Sequence, residues 1–113
     1  MAAVVYLTQD LLFVSKIRET ARQLGLDVEA ARDAASLEAA ARGAKLVILD
    51  LRRPDALGVL DALAADPATR AIAKVGFIDH ERVDVMESAR AKGCKALAKG
   101  KFATELPLLL GAL

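Results

Sequence analysis

The most constraining feature of this sequence is a run of four apolar residues, Leu46-Val47-Ile48-Leu49, that leads directly into the carboxylate Asp50. A strand that is apolar on both faces is stable where helices cover both sides of its sheet, which is the usual situation in parallel sheets. Short β-type runs recur along the chain and alternate with segments that have helical periodicity. This alternation predicts an α/β fold built around a parallel sheet.

Five strands and five helices are predicted. The strands cover residues 3–7, 26–30, 45–50, 73–78 and 95–98, the second helix covers 33–42, and the third ends before Asp66. Asp10, Asp79 and Thr104 are the predicted N-caps of the first, fourth and fifth helices, with Pro107 in the first turn of the last. The chain length suits a single domain, 1–113, and five such units in so few residues favour a flavodoxin-like doubly wound sheet of order 2-1-3-4-5.

Composition narrows the possible functions. The chain has 113 residues and a net charge of +1 from sixteen basic and fifteen acidic side chains, so we expect neither a nucleic-acid nor a membrane partner. No apolar run approaches the ~20 residues that cross a bilayer, and the N-terminus lacks a signal-peptide pattern. A lone cysteine, Cys94, fits a reducing compartment, and we expect a cytoplasmic location. Because the chain has a single histidine and a single cysteine, it lacks the residues for most metal-hydrolase and Cys-His active sites.

The candidate site lies where the strands end. In a doubly wound sheet the functional crevice is beyond the carboxyl ends of the strands, beside strand one. The polar residues predicted to share this rim are Thr8, Gln9, Asp10, Asp50, Asp79, Lys99 and Lys101.

The loop after the central strand carries a recognisable spacing. Asp50 is followed by Pro54 four residues later and by Gly58 eight residues later, a pattern that resembles the phosphoacceptor loop of bacterial response-regulator receiver (CheY-like) domains. Further matches are the segments 66–70 and 91–93 and the aromatic Phe102. The resemblance implies an acceptor aspartate and Mg²⁺ held by an acidic pair after strand one. It also implies a lysine after strand five, a Ser/Thr after strand four and an aromatic switch residue on strand five.

The chain departs from that pattern at every supporting position. Thr8 and Gln9 fall where the acidic pair belongs, with Asp10 one residue late, and Ile78 falls at the hydroxyl position. Leu97 replaces the aromatic switch, and Gly100, between Lys99 and Lys101, falls at the lysine position. We therefore expect a degenerate receiver, or pseudo-receiver, with Asp50 as a vestigial phosphoacceptor. We expect no catalytic residues, no metal, no cofactor and no enzyme activity.

Alternatives remain for Asp50. It is a structural carboxylate paired with a nearby cation (Arg52, Arg53, Lys99 or Lys101), or it is the acceptor of a phosphorylatable response regulator. The second alternative requires Mg²⁺ in an atypical shell, with Asp10 replacing the acidic pair. A third possibility is a rim that binds an anion or small ligand.

The resemblance also implies an interaction surface. In receivers, the face formed by helix four, strand five and helix five docks a partner or a second copy. We therefore expect a signalling protein partner, a homodimer, or both at this face. The predicted contact residues are Val83, Met86, Leu97, Leu106 and Leu109.

Overall fold

The computed structural model describes residues 2–113 and contains ten alternating elements. The strands are β1 (Val4–Leu7), β2 (Val28–Ala30), β3 (Leu46–Asp50), β4 (Ala73–Ile78) and β5 (Lys95–Ala98). The helices are α1 (Leu11–Gln23), α2 (Ala34–Ala41), α3 (Ala56–Ala65), α4 (Val83–Ala91) and α5 (Lys99–Gly111). All strand pairs are parallel and the order is β2-β1-β3-β4-β5, as predicted.

Helices cover both faces of the sheet and produce two apolar cores. Helices α2, α3 and α4 pack on one face, against alternate strand residues such as Val47 and Leu49. Helices α1 and α5 pack on the other, against Leu46 and Ile48. Because successive strand residues point to opposite faces, the unbroken apolar run of β3 supplies both cores.

The start of α1 follows its predicted capping. The Asp10 carboxylate accepts hydrogen bonds from the backbone N–H groups of Leu12 and Phe13, which satisfies two donors of the first turn. After the helix, Gly25 adopts a φ of 69°, a left-handed conformation that glycine accepts without a Cβ penalty. The boundaries of α1 are therefore set by local chemistry that is visible in the sequence.

The predicted starts of α4 and α5 are wrong. Helix α4 begins at Val83 with Arg82 at its N-cap, and the Asp79 carboxylate pairs with Lys99 at 2.6 Å instead of capping the helix. Helix α5 begins at Lys99, directly after β5. Thr104 therefore lies inside this helix and its hydroxyl donates to the Gly100 carbonyl. Pro107 is also an interior residue.

The strand bounds need only small corrections. Strand β1 begins one residue later than predicted, at Val4, and β3 begins at Leu46. Strand β2 is shorter than predicted and pairs with β1 alone, which makes it an edge strand. Within residues 2–113, no helix is both long and apolar enough to cross a bilayer.

Only some of the residues predicted to form the partner surface are exposed. Met86, Leu97 and Leu106 belong to the two cores, with 8%, 5% and 1% of their area exposed, so they stabilise the fold. Val83 is 51% exposed and Leu109 is half-buried. The most exposed leucine of α5 is Leu108, at 76%.

Candidate functional site

The site lies at the carboxyl edge of the parallel sheet, where the loops after β1 and β3 meet. Strand β3 is paired with β1 on one side and with β4 on the other, so Asp50 at its end lies centrally in this edge. Thr8 follows β1, and Asp79 follows β4. The predicted rim is therefore correct as a location.

Asp50 accepts four hydrogen bonds. Its Oδ1 accepts from the backbone N–H of Arg52 at 3.0 Å and from the Arg52 Nε at 2.9 Å. Its Oδ2 accepts from the Thr8 hydroxyl at 2.7 Å and from the Arg52 Nη2 at 2.8 Å. An ionised carboxylate has about four lone-pair acceptor sites. The acceptor capacity of Asp50 is therefore filled by Thr8 and Arg52.

Arg52 is the centre of this network. Its guanidinium binds Asp50 in a bidentate manner through Nε and Nη2, and Nη2 also donates to the Asp10 Oδ2 at 2.9 Å. The Cζ atom lies 5.8 Å from the Phe13 ring centroid and 5.6 Å from that of Phe77. Such distances are within the range of cation–π attraction, for which the planar guanidinium is well suited. The cation is thus held by two carboxylates and two aromatic rings.

The charge state of Asp50 follows from two opposing effects. Burial raises the pKa of this carboxyl, because only 6% of the residue is exposed. The hydrogen bonds from Arg52 and Thr8 act in the opposite direction and outweigh burial, so the pKa lies below its ordinary value of 3.8. Asp50 is therefore a stable carboxylate at neutral pH, and the same pairing raises the pKa of Arg52.

Thr8 connects the two loops. Its hydroxyl donates to Asp50 and accepts from the backbone N–H of Asp10 at 3.2 Å, and the residue is 6% exposed. Gln9, the other residue at the predicted acidic-pair positions, is exposed. Of the two residues that replace the acidic pair, Thr8 is the one incorporated into the network.

The lysines predicted near Asp50 are paired elsewhere. Lys99 binds Asp79 at 2.6 Å, and Lys101 lies 3.6 Å from Glu105. Gly100, at the predicted lysine position, is in the first turn of α5 and has no side chain to offer. Arg53 pairs with Asp55. Of the four cations considered for Asp50, Arg52 is the one that binds it.

The two switch positions are apolar and buried. Ile78 ends β4 with 1% of its area exposed, and Leu97 lies on β5 with 5% exposed. Ile78 packs in the core beneath α2, α3 and α4, and Leu97 packs in the core beneath α1 and α5. These residues can fill space, but they carry no hydroxyl or aromatic edge with which to contact a phosphoryl group.

The donor set does not match a magnesium site. Mg²⁺ requires oxygen ligands in a near-octahedral arrangement and usually retains several waters. Here Asp10 and Asp50 are bridged by a guanidinium nitrogen, and the remaining rim carboxylate, Asp79, faces Lys99. Among residues 2–113, no group of three or more His, Cys, Asp or Glu side chains has a metal-binding arrangement.

Sequence reasoning identified Asp50 and the four candidate cations but not which of them binds. The available signal was the spacing Asp50-Leu51-Arg52, since a residue two positions after a strand-end aspartate can donate both its backbone N–H and a side-chain group to that aspartate. The contribution of Phe13 and Phe77 was not visible, because it depends on α1 and β4 meeting beneath the loop.

Comparisons with known proteins identify the fold. No protein-family model matches the chain, and no curated protein matches it. Among solved structures, the receiver domain of NtrX from Brucella abortus superposes with a TM-score of 0.80 at 22% identity, covering 96% of this chain and 95% of that one. Chemotaxis response regulator CheY4 of Vibrio cholerae gives 0.79 at 19% identity, covering 99% and 98%.

The chain has a CheY-like receiver fold. A de novo designed Rossmann 2x3 protein also superposes, with a TM-score of 0.70 at 15% identity and coverage of 99% and 91%. The receiver fold is thus recognised by topology alone, and its chemistry has to be argued from the residues at the carboxyl edge.

Proposed function

We propose that this chain is a signal-transduction domain of the receiver type that acts through protein–protein contacts while Asp50 remains unphosphorylated. The observation that carries the proposal is the occupation of all four acceptor sites of Asp50 by Thr8 and Arg52. On this proposal the domain is a binding module and not an enzyme, and it has no cofactor.

The chemistry of phosphoryl transfer supports this proposal. A carboxylate that accepts a phosphoryl group needs a lone pair directed at phosphorus and cations placed around the transferred oxygens. In Asp50 the lone pairs are directed at Arg52 and Thr8, and Lys99 is held by Asp79. Attack on a phosphodonor would first require the Arg52 contacts to break, in a buried position where an unpaired carboxylate is strongly disfavoured.

The alternative is a phosphorylatable response regulator in which Asp10 helps to hold Mg²⁺. In the structure the Asp10 Oδ1 caps α1 and its Oδ2 binds Arg52. Recruitment of Asp10 to a metal would therefore give up an ion pair and disturb a helix cap. These contacts favour the first proposal over this one.

The proposed partner surface is the face formed by α4, β5 and α5, by analogy with receiver domains. Val83 on α4 and Leu108 on α5 are 51% and 76% exposed, and Leu109 is half-buried. These apolar side chains are available to a signalling protein or to a second copy of the chain. Met86, Leu97 and Leu106 are expected to support this face from the core.

The experiment incubates the purified chain with Mg²⁺ and acetyl phosphate and measures its intact mass, with Asp50→Ala as the control. We expect the mass of the wild-type chain to stay unchanged, like that of the control. A stoichiometric phosphoryl adduct that is present in the wild type and absent from Asp50→Ala would establish the alternative.

A further inference from the structure

Two carboxylates that are distant in sequence converge on one nitrogen atom. The Arg52 Nη2 lies 2.8 Å from the Asp50 Oδ2 and 2.9 Å from the Asp10 Oδ2. Asp10 belongs to the loop after β1 and Asp50 ends β3, so the two are 40 residues apart in sequence and meet only in the fold. A bridging cation is what two such carboxylates require, because their charges repel when they are brought together.

Arg52 thus bridges Asp10 and Asp50, and the surroundings of this bridge suit a guanidinium better than a metal ion. The Phe13 and Phe77 rings lie against it and against each other, with centroids 4.4 Å apart. Their faces attract a weakly hydrated planar cation. They offer no oxygen ligand to Mg²⁺, which binds through oxygen atoms.

The bridge also fixes the relative positions of two elements. Asp10 is the N-cap of α1, while Asp50 and Arg52 belong to the segment that leads into α3. Through Arg52, the start of α1 is therefore tied to the loop before α3. A diffusible ion would make this link conditional on its concentration, whereas a side chain makes it permanent.

We propose that the Arg52 guanidinium is a tethered counter-cation that takes the position of a divalent ion between Asp10 and Asp50, and that it excludes such an ion from the wild-type chain. This inference concerns the same site as the proposed function and rests on it. It adds a specific claim, namely that a single side chain keeps these two carboxylates from binding a metal.

The experiment compares the wild type with Arg52→Ala and with the matched control Arg53→Ala. Arg53 is the next residue in the same loop, but it pairs with Asp55, so its loss removes a positive charge without opening the bridge. Mg²⁺ is titrated while amide spectra and the melting temperature are recorded, and Mn²⁺ is added at trace level to broaden resonances near a bound ion.

We expect Arg52→Ala to bind Mg²⁺ about tenfold or more tightly than the wild type, with shifts and Mn²⁺ broadening at Asp10 and Asp50. The Arg53→Ala chain should behave like the wild type. Adding Asp10→Asn to Arg52→Ala should remove the gain, and Arg52→Lys, which retains the charge, should show none.

Arg52→Gln serves as a second test because it retains a side chain of similar length if the alanine variant does not fold. Mg²⁺ binding by the wild type at the strength seen in Arg52→Ala would overturn the inference, as would folded Arg52→Ala and Arg52→Gln chains that both fail to gain binding. The proposed function is tested separately, by the intact mass of the wild-type chain after incubation with acetyl phosphate.

Discussion

Replacing Asp50 with asparagine separates the two electrostatic descriptions of this site. Where carboxylates crowd together around a missing metal, removing one charge relieves repulsion and stabilises the fold. Where a buried carboxylate is paired with an arginine, removing its charge leaves the cation without its partner. The contacts of Asp50 with Arg52 and Thr8 predict the second outcome.

The expected magnitude follows from those contacts. Asparagine keeps one carbonyl oxygen for the backbone and Nε donors of Arg52, but its amide group would face the Arg52 Nη2, donor against donor. Lost hydrogen bonds to a charged group cost about 1.5–3 kcal/mol. Because the Arg52 side chain is 30% exposed and partly screened by solvent, we expect a value near the lower end, about 2 kcal/mol.

Urea unfolding at pH 7 measures this change. A loss of about 2 kcal/mol moves the midpoint of a small domain by roughly 0.7–2 M urea. The matched control is Asp79→Asn, which removes a more exposed rim carboxylate paired with Lys99 and should change the midpoint much less. An Asp50→Asn chain as stable as the wild type, or more stable, would refute the reasoning.

The same pair predicts a pH dependence with a definite sign. The pKa of Asp50 is lowered in the folded chain, because the donors from Arg52 and Thr8 outweigh the opposing effect of burial. Its contribution is therefore complete above the ordinary pKa of 3.8 and is lost as the pH falls through the lower folded value. The stability difference between wild type and Asp50→Asn should accordingly shrink in acid, which urea titrations at several pH values will measure.

The remaining predictions concern neighbouring packing and reactivity. Thr8→Val should destabilise the fold by about 1–2 kcal/mol in the same assay, since it removes the donor to Asp50 from a buried position. Gly76→Ala should destabilise by about 1–3 kcal/mol, because a Cβ there would lie 2.6 Å from Leu51. The control is Gly58→Ala, where a Cβ would meet no neighbouring atom, and it should be neutral or stabilising by up to about 1 kcal/mol. If the two substitutions change the stability equally, the packing argument is wrong. Burial raises the pKa of the Cys94 thiol to about 12, so a thiol reagent should label it slowly until urea unfolds the chain, and fast labelling of the folded chain would be inconsistent with this burial.

The fold was predictable because local patterns and global topology agree. The β3 run required helices on both sides of the sheet, and Asp10 and Gly25 marked the ends of α1 through capping chemistry that acts within a few residues. The prediction failed at two helix starts. Asp79 has the chemistry of an N-cap, but its carboxylate pairs with Lys99, and α4 begins later, at Val83.

The location of the site was predictable, but the hydrogen bonds and ion pairs within it were not. The rim follows from strand order, and the absence of acidic, hydroxyl and lysine residues at the expected positions follows from counting along the sequence. The choice of Arg52 over Arg53 depends on side-chain direction, and its aromatic support depends on where α1 packs against β4. The partner surface was overestimated because an apolar residue on a helix can face either a partner or the chain's own core, as Leu106 does.

The most direct test of the central claim is a crystal structure of the wild-type chain grown with a large excess of Mg²⁺. We predict that Arg52 still binds Asp50 through Nε and Nη2, with Asp10 on the same Nη2. An Mg²⁺ ion coordinated by both Asp10 and Asp50, with Arg52 displaced into solvent, would contradict it.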